Sequence, residues 1–202
     1  MISKMTKTIG LTGGIGSGKT TIATYFQSKG IPIYIADDEA RKIMQSEAVI
    51  QAIKKTFGES IFENGILVRQ KLAEIVFNDP AKLKELNAIV HPAVKEHYKT
   101  WLAGKKDFPY IIYEAAILFE SGSYQNFDII ISVIAPLETR IARVMKRDTT
   151  SREHVLKRME VQWTDEQRIS KSDFIIENSN LEEAKQKADE ILKILKIKQK
   201  ES

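Results

Sequence analysis

Cysteine is missing from this 202-residue sequence, and long apolar runs are missing as well. The first absence excludes disulfide bonds and cysteine-based metal sites, which suits a protein of a reducing compartment. The longest apolar run, 129–135, contains Ser132 and is far shorter than the roughly 20 residues that a membrane-spanning helix needs. A strand pattern already begins near residue 8, so no signal peptide is expected ahead of it. We therefore expect a cytoplasmic protein with no membrane partner.

A strong excess of one charge is missing too. Lys and Arg number 31 and Asp and Glu number 27, so the net charge is only +4. Because nucleic-acid-binding proteins usually carry a dense basic stripe, this balance predicts no nucleic-acid partner. The basic residues cluster between Arg140 and Arg158, where they outnumber the acidic residues by more than they do in the chain as a whole.

Glycine is scarce, with ten residues in the chain, but four of them lie between positions 13 and 18. The segment 13–20, GGIGSGKT, matches the phosphate-loop pattern G-x-x-x-x-G-K-[ST]. The preceding residues 8–12 are typical of a short buried strand, and apolar residues recur at helical spacing from Lys19 until Gly30. Strand, glycine-rich loop and helix form the context in which this pattern binds phosphate.

The residue types of this segment explain how it would bind ATP. Glycines let successive backbone N–H groups turn toward a triphosphate, and the start of the helix adds unpaired N–H groups and a positive dipole end. Lys19 brings a full charge to the β- and γ-phosphates, and the Thr20 hydroxyl is placed to bind Mg²⁺. The predicted ATP-binding residues of the segment are Gly13, Gly14, Ile15, Gly16, Ser17, Gly18, Lys19, Thr20 and Thr21.

Apolar strand patterns alternate with helical patterns along the chain. The predicted strands are 8–12, 30–36, 110–113, 129–134 and 174–176. Buried strands that alternate with helices predict an α/β protein, here the three-layer P-loop NTPase fold with a parallel five-stranded sheet. Two helical stretches exceed what crossover connections need: 38–105, a candidate substrate-binding insert, and 140–170, a candidate lid. The core of this single domain, 1–202, would then be about 1–37, 106–139 and 171–202.

Local signals predict where some helices begin and end. Asp79–Pro80 is a cap followed by proline, and Pro92 should kink or divide the helix that starts there. Thr150 with Glu153 predicts a capping box for another helix. Residues 58–65 are predicted to form a loop.

Missing motifs narrow the class of phosphate-loop protein. A GTP switch needs N-K-x-D to read guanine and usually D-x-x-G after a strand, and neither occurs in the sequence. A nucleic-acid-binding ATPase would need more basic surface. A small-molecule kinase needs an acceptor site at the strand ends and arginines that neutralise the transferring phosphoryl group. This sequence is compatible with both requirements.

Asp37 follows the second predicted strand and is therefore expected at the same sheet edge as the phosphate loop. It could accept the proton of an attacking hydroxyl, or it could cap a helix that begins at Asp38, and spacing alone does not decide between the two. For Asp38 itself the capping role is favoured. Arg140, Arg143 and Arg147 share one side of a helix, where they could face phosphates or solvent.

Two carboxylates and a histidine are further candidates. Glu114 and Glu120 bracket the end of the third predicted strand, where a carboxylate could hold Mg²⁺ through water or could simply be exposed. His91, before Pro92, is more often a half-buried, hydrogen-bonded histidine than a catalyst. The His and Asp spacings do not suggest a zinc site.

With these residues assembled, the chain resembles the dephospho-coenzyme A kinases over nearly its full length, from about Ile9 to the last helix. The segment 10–20, GLTGGIGSGKT, fits the family's G-L-T-G-G-I-G-S-G-K-[ST] and is more specific than a bare phosphate loop. Four shorter family patterns also match. D-A-D-x-x-A-R is matched at Ala36, Asp37, Ala40 and Arg41, H-P at His91 and Pro92, P-L-L-F-E at Leu118, Phe119 and Glu120, and R-x-x-x-R-D at Arg143, Arg147 and Asp148. The family's later Q, D and N correspond to Gln162, Asp173 and Asn178. The sequence departs from the family at Ile35, Ala116 and Asn180, where Asp, Pro and Gly are usual.

The resemblance implies ATP-dependent phosphorylation of the ribose 3′-hydroxyl of dephospho-CoA, the last step of CoA biosynthesis. Asp37 corresponds to the family's catalytic carboxylate and would accept the hydroxyl proton. Lys19 and Mg²⁺ on Thr20 would hold the phosphates, and Arg143 and Arg147 would close over them.

The resemblance also implies that Asn178 binds ATP and that Asp37, Arg41 and His91 bind the acceptor. The expected partners of the protein are ATP and dephospho-CoA, and the protein would be a monomer or a small homo-oligomer. The alternative function is that of another small-molecule or nucleoside monophosphate P-loop kinase.

Overall fold

The computed structural model describes residues 6–200, over which the chain divides into two compact units. The first unit comprises the residues up to Ile35 together with those from Lys105 onward, and the second unit is Ala36–Gly104. In chain order the elements are β1 (Lys7–Thr12), α1 (Lys19–Ser28), β2 (Ile33–Ile35), α2 (Ala36–Ile43), α3 (Glu47–Phe57), β3 (Phe62–Glu63), β4 (Ile66–Leu67), α4 (Arg69–Asn78), α5 (Pro80–Ala103), β5 (Tyr110–Glu114), β6 (Ile129–Ile134), α6 (Leu137–Asp148), α7 (Arg152–Glu160), α8 (Asp165–Ile169), β7 (Phe174–Glu177) and α9 (Leu181–Lys200).

The first unit is built on a parallel sheet of five strands in the order β2-β5-β1-β6-β7. This confirms the predicted α/β fold with a five-stranded parallel sheet. β2 is shorter than the predicted 30–36, because Gly30 and Ile31 still bond back to the end of α1, to Gln27 and Phe26, while Ala36 already starts α2. β1, the strand that precedes the phosphate loop, lies at the centre of the sheet.

Alternate residues of the sheet face two different surroundings, as the period of two in a strand requires. One face packs against α1 and α9, and the buried residues of that core are Ile9, Leu11, Ile22, Ala23, Phe26, Tyr110, Ile112, Ile131, Val133, Ile176, Ala184, Ala188, Ile191, Leu192 and Leu195. Gly10 points to the other face, where a Cβ atom would lie 2.6 Å from the side chain of Leu118 and 3.2 Å from that of Phe127. Both faces of the central strand are therefore covered, which explains its apolar sequence.

The second unit has a small core of its own. Val49, Ile53, Ile61 and Leu72 are buried there. The segment predicted as a loop, 58–65, is instead a 3₁₀ turn at Glu59–Ile61 followed by the start of the β3–β4 hairpin.

The hairpin turn explains this difference. Its two turn residues, Asn64 and Gly65, both have positive φ (50° and 79°), as a two-residue hairpin turn demands. The signal for it, Asn-Gly between two short apolar strands, is present in the sequence.

The predicted helix boundaries of this protein were partly right. Asp79 caps α5 by accepting hydrogen bonds from the backbone N–H groups of Ala81 and Lys82, as predicted, but α5 runs on through Pro92 and is not divided there. The buried Val90 and Val94 on either side of Pro92 hold the helix in place across the missing hydrogen bond.

The predicted capping box at Thr150 and Glu153 is wrong. The residue that caps α7 is Ser151, whose hydroxyl accepts a hydrogen bond from the backbone of His154. Among the residues described, no helix combines the length and apolar character needed to span a bilayer.

Candidate active site

Three groups meet at the carboxyl edge of the parallel sheet in the first unit. The phosphate loop follows Thr12 at the end of β1, and Glu114 ends the neighbouring strand β5 opposite Leu11. Asn178 follows β7, and its backbone N–H donates to the carbonyl of Ile134 at 2.8 Å. This edge is where open parallel sheets bind their ligands, because loops and helix N-termini converge there.

The phosphate loop needs glycine at Gly16 and Gly18, among other positions, for steric reasons. Gly16 has φ +80°, and a Cβ atom on it would lie 2.5 Å from the backbone oxygen of Arg140. Gly18 has φ +91°, and a Cβ atom there would lie 2.1 Å from Nδ2 of Asn178. Any other residue would both strain the backbone and displace its neighbour, so the loop conformation depends on these glycines.

Lys19, Thr20 and Thr21 form the first turn of α1, which begins at Lys19. The Thr20 hydroxyl donates to Oε2 of Glu114 at 3.4 Å, and Glu114 is only 3% exposed. The sequence allowed Glu114 either to hold Mg²⁺ through water or to be an ordinary exposed acid, and the second interpretation is therefore wrong. Hydroxyl and carboxylate oxygens are ligands that Mg²⁺ accepts, usually beside phosphate oxygens and water. The donor set fits the predicted magnesium site.

Protein ligands alone would not suffice for this metal. The described residues contain no group of three or more His, Cys, Asp or Glu that could hold a metal ion. A magnesium ion at Thr20 would therefore take most of its ligands from the nucleotide phosphates and water, as Mg²⁺ usually does in kinases.

Asn178 contacts the phosphate loop directly. Its side chain is almost fully buried and donates from Nδ2 to the backbone oxygen of Ser17 at 2.8 Å. Asn178, which the family resemblance predicts to bind ATP, therefore holds the backbone of the predicted ATP-binding loop. Within the described residues, its Oδ1 and the Ser17 hydroxyl are both buried and have no hydrogen-bond partner.

The three arginines of α6 have three different surroundings, although the sequence places them on one side of a helix. Arg140 is buried and forms an ion pair with Asp165 at 3.1 Å, so it does not face solvent. Arg143 donates to the backbone oxygen of Asn178 at 2.8 Å. Arg147 is exposed and pairs with Asp148 at 2.6 Å.

Asp148 ties the end of α6 to α7. It accepts hydrogen bonds from Arg147 and, at 2.7 Å, from Arg158 on α7. The hydrogen bond from Arg147 and then that from Arg158 hold the pKa of the Asp148 carboxyl far below its ordinary value. The carboxylate is therefore charged at any pH at which the protein would work.

In the second unit, α2 begins at Ala36, so Asp37 and Asp38 both lie inside its first turn. Neither is the residue before the helix, so the capping alternative for Asp37 and the capping role favoured for Asp38 are both wrong. Asp37 is exposed, and Asp38 accepts a hydrogen bond from Arg41 at 2.7 Å. His91 lies on α5 and is exposed, so the expectation of a half-buried histidine is also wrong.

Sequence reasoning missed a second set of residues around the phosphate loop. Glu120 and Arg168 form an ion pair at 2.9 Å, and Arg168 is fully buried. Burial lowers the pKa of the Arg168 guanidinium, and the charge of Glu120 opposes that effect. Gln162 accepts a hydrogen bond from the backbone N–H of Ile15 at 2.8 Å. The sequence named Gln162 only as a match to a family pattern, and Glu120 as such a match and as a carboxylate that could hold Mg²⁺, and neither signal indicated these contacts.

This protein has the fold of a P-loop kinase. The phosphate loop follows the central strand of a five-stranded parallel sheet, a helix begins directly after the loop, and a buried carboxylate lies beside it. A shikimate kinase from Acinetobacter baumannii shares that fold, with a TM-score of 0.51 at 16% sequence identity. A more specific match comes from the sequence: the model of the dephospho-CoA kinase family matches residues 7–183. The chain belongs to the dephospho-CoA kinase family.

Individual relatives agree with this assignment. A dephospho-CoA kinase from Fusobacterium nucleatum is 43% identical over 183 residues, which cover 90% of this chain and 94% of the relative. A dephospho-CoA kinase structure from Campylobacter jejuni covers 95% of this chain and 98% of its own, with 26% identity and a TM-score of 0.64. A crystal structure of a Thermus thermophilus protein reaches a TM-score of 0.86 at 35% identity and covers 94% of this chain and 97% of its own.

Proposed function

We propose that this protein transfers the γ-phosphoryl group of ATP to the ribose 3′-hydroxyl of dephospho-CoA, giving CoA and ADP in CoA biosynthesis. The observation that carries the proposal is the phosphate loop at the centre of the sheet, in a chain that belongs to the dephospho-CoA kinase family. The geometry of the loop supports a kinase, and family membership supports dephospho-CoA as the acceptor.

The phosphate loop and Lys19 bind the triphosphate in this proposal. The loop backbone between Gly13 and Gly18 and the N-terminal turn of α1 present N–H groups to the β- and γ-phosphates. Lys19, in that turn, supplies a full positive charge where negative charge is redistributed during transfer. Because these donors are fixed before the reaction, little reorganisation is needed in the transition state.

Thr20, supported by the buried Glu114, is the residue that we propose for binding Mg²⁺. When bound, the metal ion neutralises charge on the β- and γ-phosphates and orients them. Glu114 accepts the Thr20 hydroxyl hydrogen, so the hydroxyl oxygen keeps its lone pairs for a cation.

Asp37 is the proposed general base, which would accept the proton of the 3′-hydroxyl as that oxygen attacks the γ-phosphorus. Its position in the chain supports this role, since it follows the carboxyl end of β2 by two residues. Its exposure and its match to the family's carboxylate are consistent with an acceptor that binds from solvent. Arg41 and His91, both exposed, are proposed to bind dephospho-CoA.

Arg143 and Arg147 are proposed to neutralise the transferring phosphoryl group. Arg143 already lies against the loop, with Nη1 at 3.4 Å from the backbone oxygens of Gly16 and Ser17. Arg147 would have to exchange its carboxylate partner Asp148 for a phosphate, which arginine binds with the same bidentate geometry.

We further propose that the protein acts in the cytoplasm, as a monomer or small homo-oligomer, without nucleic-acid or membrane partners.

A coupled assay of ADP release tests the proposed function. ADP release is expected with dephospho-CoA and not with a panel of nucleosides and nucleoside monophosphates offered at the same concentration. If only one nucleoside monophosphate supported turnover, the protein would still be a kinase, but dephospho-CoA would not be its acceptor. ADP release with none of these acceptors would contradict the proposed function.

A further inference from the structure

The backbone of Ile15, inside the phosphate loop, is bound at both its N–H and its carbonyl oxygen by side chains from distant parts of the chain. Its N–H donates to Oε1 of Gln162 at 2.8 Å, and its carbonyl oxygen accepts from Nε of Arg140 at 3.0 Å. Neither residue belongs to the phosphate-loop pattern.

The guanidinium of Arg140 is packed against the loop backbone. A Cβ atom on Gly14 would lie 2.1 Å from Nη2 of Arg140, so only glycine leaves room for the arginine. Arg140 donates from Nη1 to both oxygens of Asp165, at 3.1 and 3.2 Å. The guanidinium is therefore held at two of its nitrogens, since Nη1 binds Asp165 and Nε binds Ile15, and this orients the bond to Ile15.

Asp165 is held in turn by a second buried arginine. Arg168, with no exposed surface, lies 3.4 Å from Asp165 and 2.9 Å from Glu120. Two positive and two negative groups thus alternate as Arg140, Asp165, Arg168 and Glu120. Because Arg140 and Arg168 are buried, loss of either carboxylate would leave buried positive charge less well compensated.

Glu120 connects this network to the segment that carries Gln162. The same Oε1 atom that pairs with Arg168 also accepts from the backbone N–H of Trp163 at 2.8 Å. The Trp163 ring stacks on Phe119, with ring centroids 5.0 Å apart and planes 9° apart. The residue after Gln162 is therefore fixed by both polar and aromatic contacts.

We infer that Gln162 and Arg140 are positioning residues for phosphoryl transfer, supported by Asp165, Arg168 and Glu120. They fix the two peptide groups that flank Ile15, and thereby the direction of the loop N–H groups that follow, before ATP binds. Misplacement of a substrate by about 1 Å can cost two orders of magnitude in rate, so fixing the loop has catalytic value. The inference rests on the proposed role of this loop in ATP binding.

The geometry also couples the phosphate loop to the proposed lid, 140–170. Arg140 lies at the beginning of that segment, whereas Gln162 and Asp165 lie near its end. Arg140 and Gln162 both bind the backbone of Ile15, and Asp165 binds Arg140. The base of the lid is therefore a fixed part of the phosphate site. Closure over ATP would involve the portion between Arg143 and Glu160.

Replacement of Gln162 by methionine tests the inference, because methionine keeps the chain length but has only a weak acceptor. Gln167→Met is the matched control: Oε1 of Gln167 also accepts one backbone hydrogen bond of 2.8 Å, from Thr164, but that bond caps α8 and does not involve the loop. We expect Gln162→Met to raise the ATP Kd, measured by calorimetry without acceptor, about five- to tenfold, the typical effect of one lost hydrogen bond. Gln167→Met should stay within about twofold of wild type.

The outcomes separate this inference from the proposed function. Equal ATP Kd values for wild type and Gln162→Met, or equal losses in the two variants, would overturn the positioning role. Failure of the wild-type protein to bind ATP would instead overturn the proposed function.

If Gln162→Met does not fold, hydrogen exchange of the wild-type protein tests the same contact without any substitution. The Ile15 amide should then exchange much more slowly than exposed loop amides in the absence of nucleotide. Equally fast exchange would contradict the inference.

Discussion

Asp37 and Glu39 share the first turn of α2 but differ in their surroundings. Glu39 accepts a hydrogen bond from Lys42 at 2.7 Å, one turn along the same helix. Asp37 is exposed, and no family pattern assigns Glu39 a role. The two carboxylates therefore allow a comparison between two charges in one helical turn, of which only Asp37 is assigned a chemical role.

Asp37→Asn is expected to lower kcat by roughly 10²–10⁴-fold, because an amide has no useful proton affinity and cannot act as a general base. The melting temperature and the ATP Kd should change little, since the substitution is nearly isosteric and Asp37 addresses the acceptor hydroxyl. Glu39→Gln removes a charge from the same turn and should keep kcat within a few-fold. The measurement is kcat, ATP Kd and melting temperature for both variants. Activity of Asp37→Asn within a few-fold of wild type would show that Asp37 is not the base.

At the scale of the element, α6 shows how one helical face can serve different purposes. Ile141 and Val144 are buried, whereas Leu137 and Met145, apolar residues that recur at the same helical spacing, are 51% and 37% exposed. The buried position beside them belongs to Arg140, whose charge is compensated by Asp165. The helix therefore lies rotated relative to its apolar stripe, with a buried ion pair in place of apolar contacts.

Arg143 and Arg147 should respond differently to truncation. Arg143→Ala removes the donor to the Asn178 carbonyl and should lower the free energy of unfolding by about 1–3 kcal/mol, besides raising the ATP KM or lowering kcat. Arg147 has a side chain 60% exposed, so Arg147→Ala should affect the same kinetic constants with a loss of only about 0–1 kcal/mol. Lys146→Ala, on the same helix, is the control, and steady-state kinetics with thermal melts are the measurements. Normal kinetics for Arg147→Ala would exclude it from catalysis.

The pairing of α6 with α7 through Asp148 should make stability depend on pH. The pKa of Asp148 in the folded protein lies below the ordinary value of about 4, so its contribution is fully present above that pH. It is lost progressively as the pH falls toward the folded-state pKa, because the unfolded chain then binds the proton more readily.

Asp148→Asn is therefore expected to melt below wild type at pH 7, by an amount corresponding to about 1 kcal/mol, since the carboxyl is 27% exposed and partly screened by solvent. The difference should shrink as the pH is lowered from about 4 toward 2. Melting curves of both proteins across this range test the expectation. Glu153→Gln is the control, because its ion pair with Lys157 lies within α7 and joins no two elements. A difference that stays constant with pH would contradict the assignment to Asp148 ionisation.

At the scale of the whole molecule, ligand binding should appear as a shift in melting temperature. ATP at about 100 times its Kd stabilises a protein that binds it by about 2.7 kcal/mol, which corresponds to roughly 5–10 °C for a chain of this length. Lys19→Ala should lose most of this shift, and its kcat should fall by about 10² or more, because the charge at the β- and γ-phosphates is gone.

Lys29→Ala is the matched control for this experiment. Lys29 follows the C-terminal end of the same helix α1, where it pairs with Asp189 at 3.2 Å, far along the helix from the phosphate loop. Its variant should keep the full shift with ATP. Equal shifts for Lys19→Ala and wild type would show that Lys19 does not bind the nucleotide.

Much of this protein was determined by its sequence alone. The phosphate loop, the strand before it and the helix after it follow from local residue types, because glycine conformation, strand alternation and helix periodicity act over a few residues. The five parallel strands follow from the alternation of buried strands with helices. The cap at Asp79 also needed no knowledge of distant residues.

Only the tertiary structure decided which side chains meet at the site. Thr20 and Glu114 are 94 residues apart in the chain, and Ile15 and Gln162 are 147 apart. A periodic pattern assigns a residue to a face of a helix or strand but does not say what packs against that face. The burial of Arg140, which the pattern of α6 assigned to solvent or phosphate, depended on Asp165 in another helix. Such partners are selected by packing and charge compensation across the fold, and these are properties of the assembled chain.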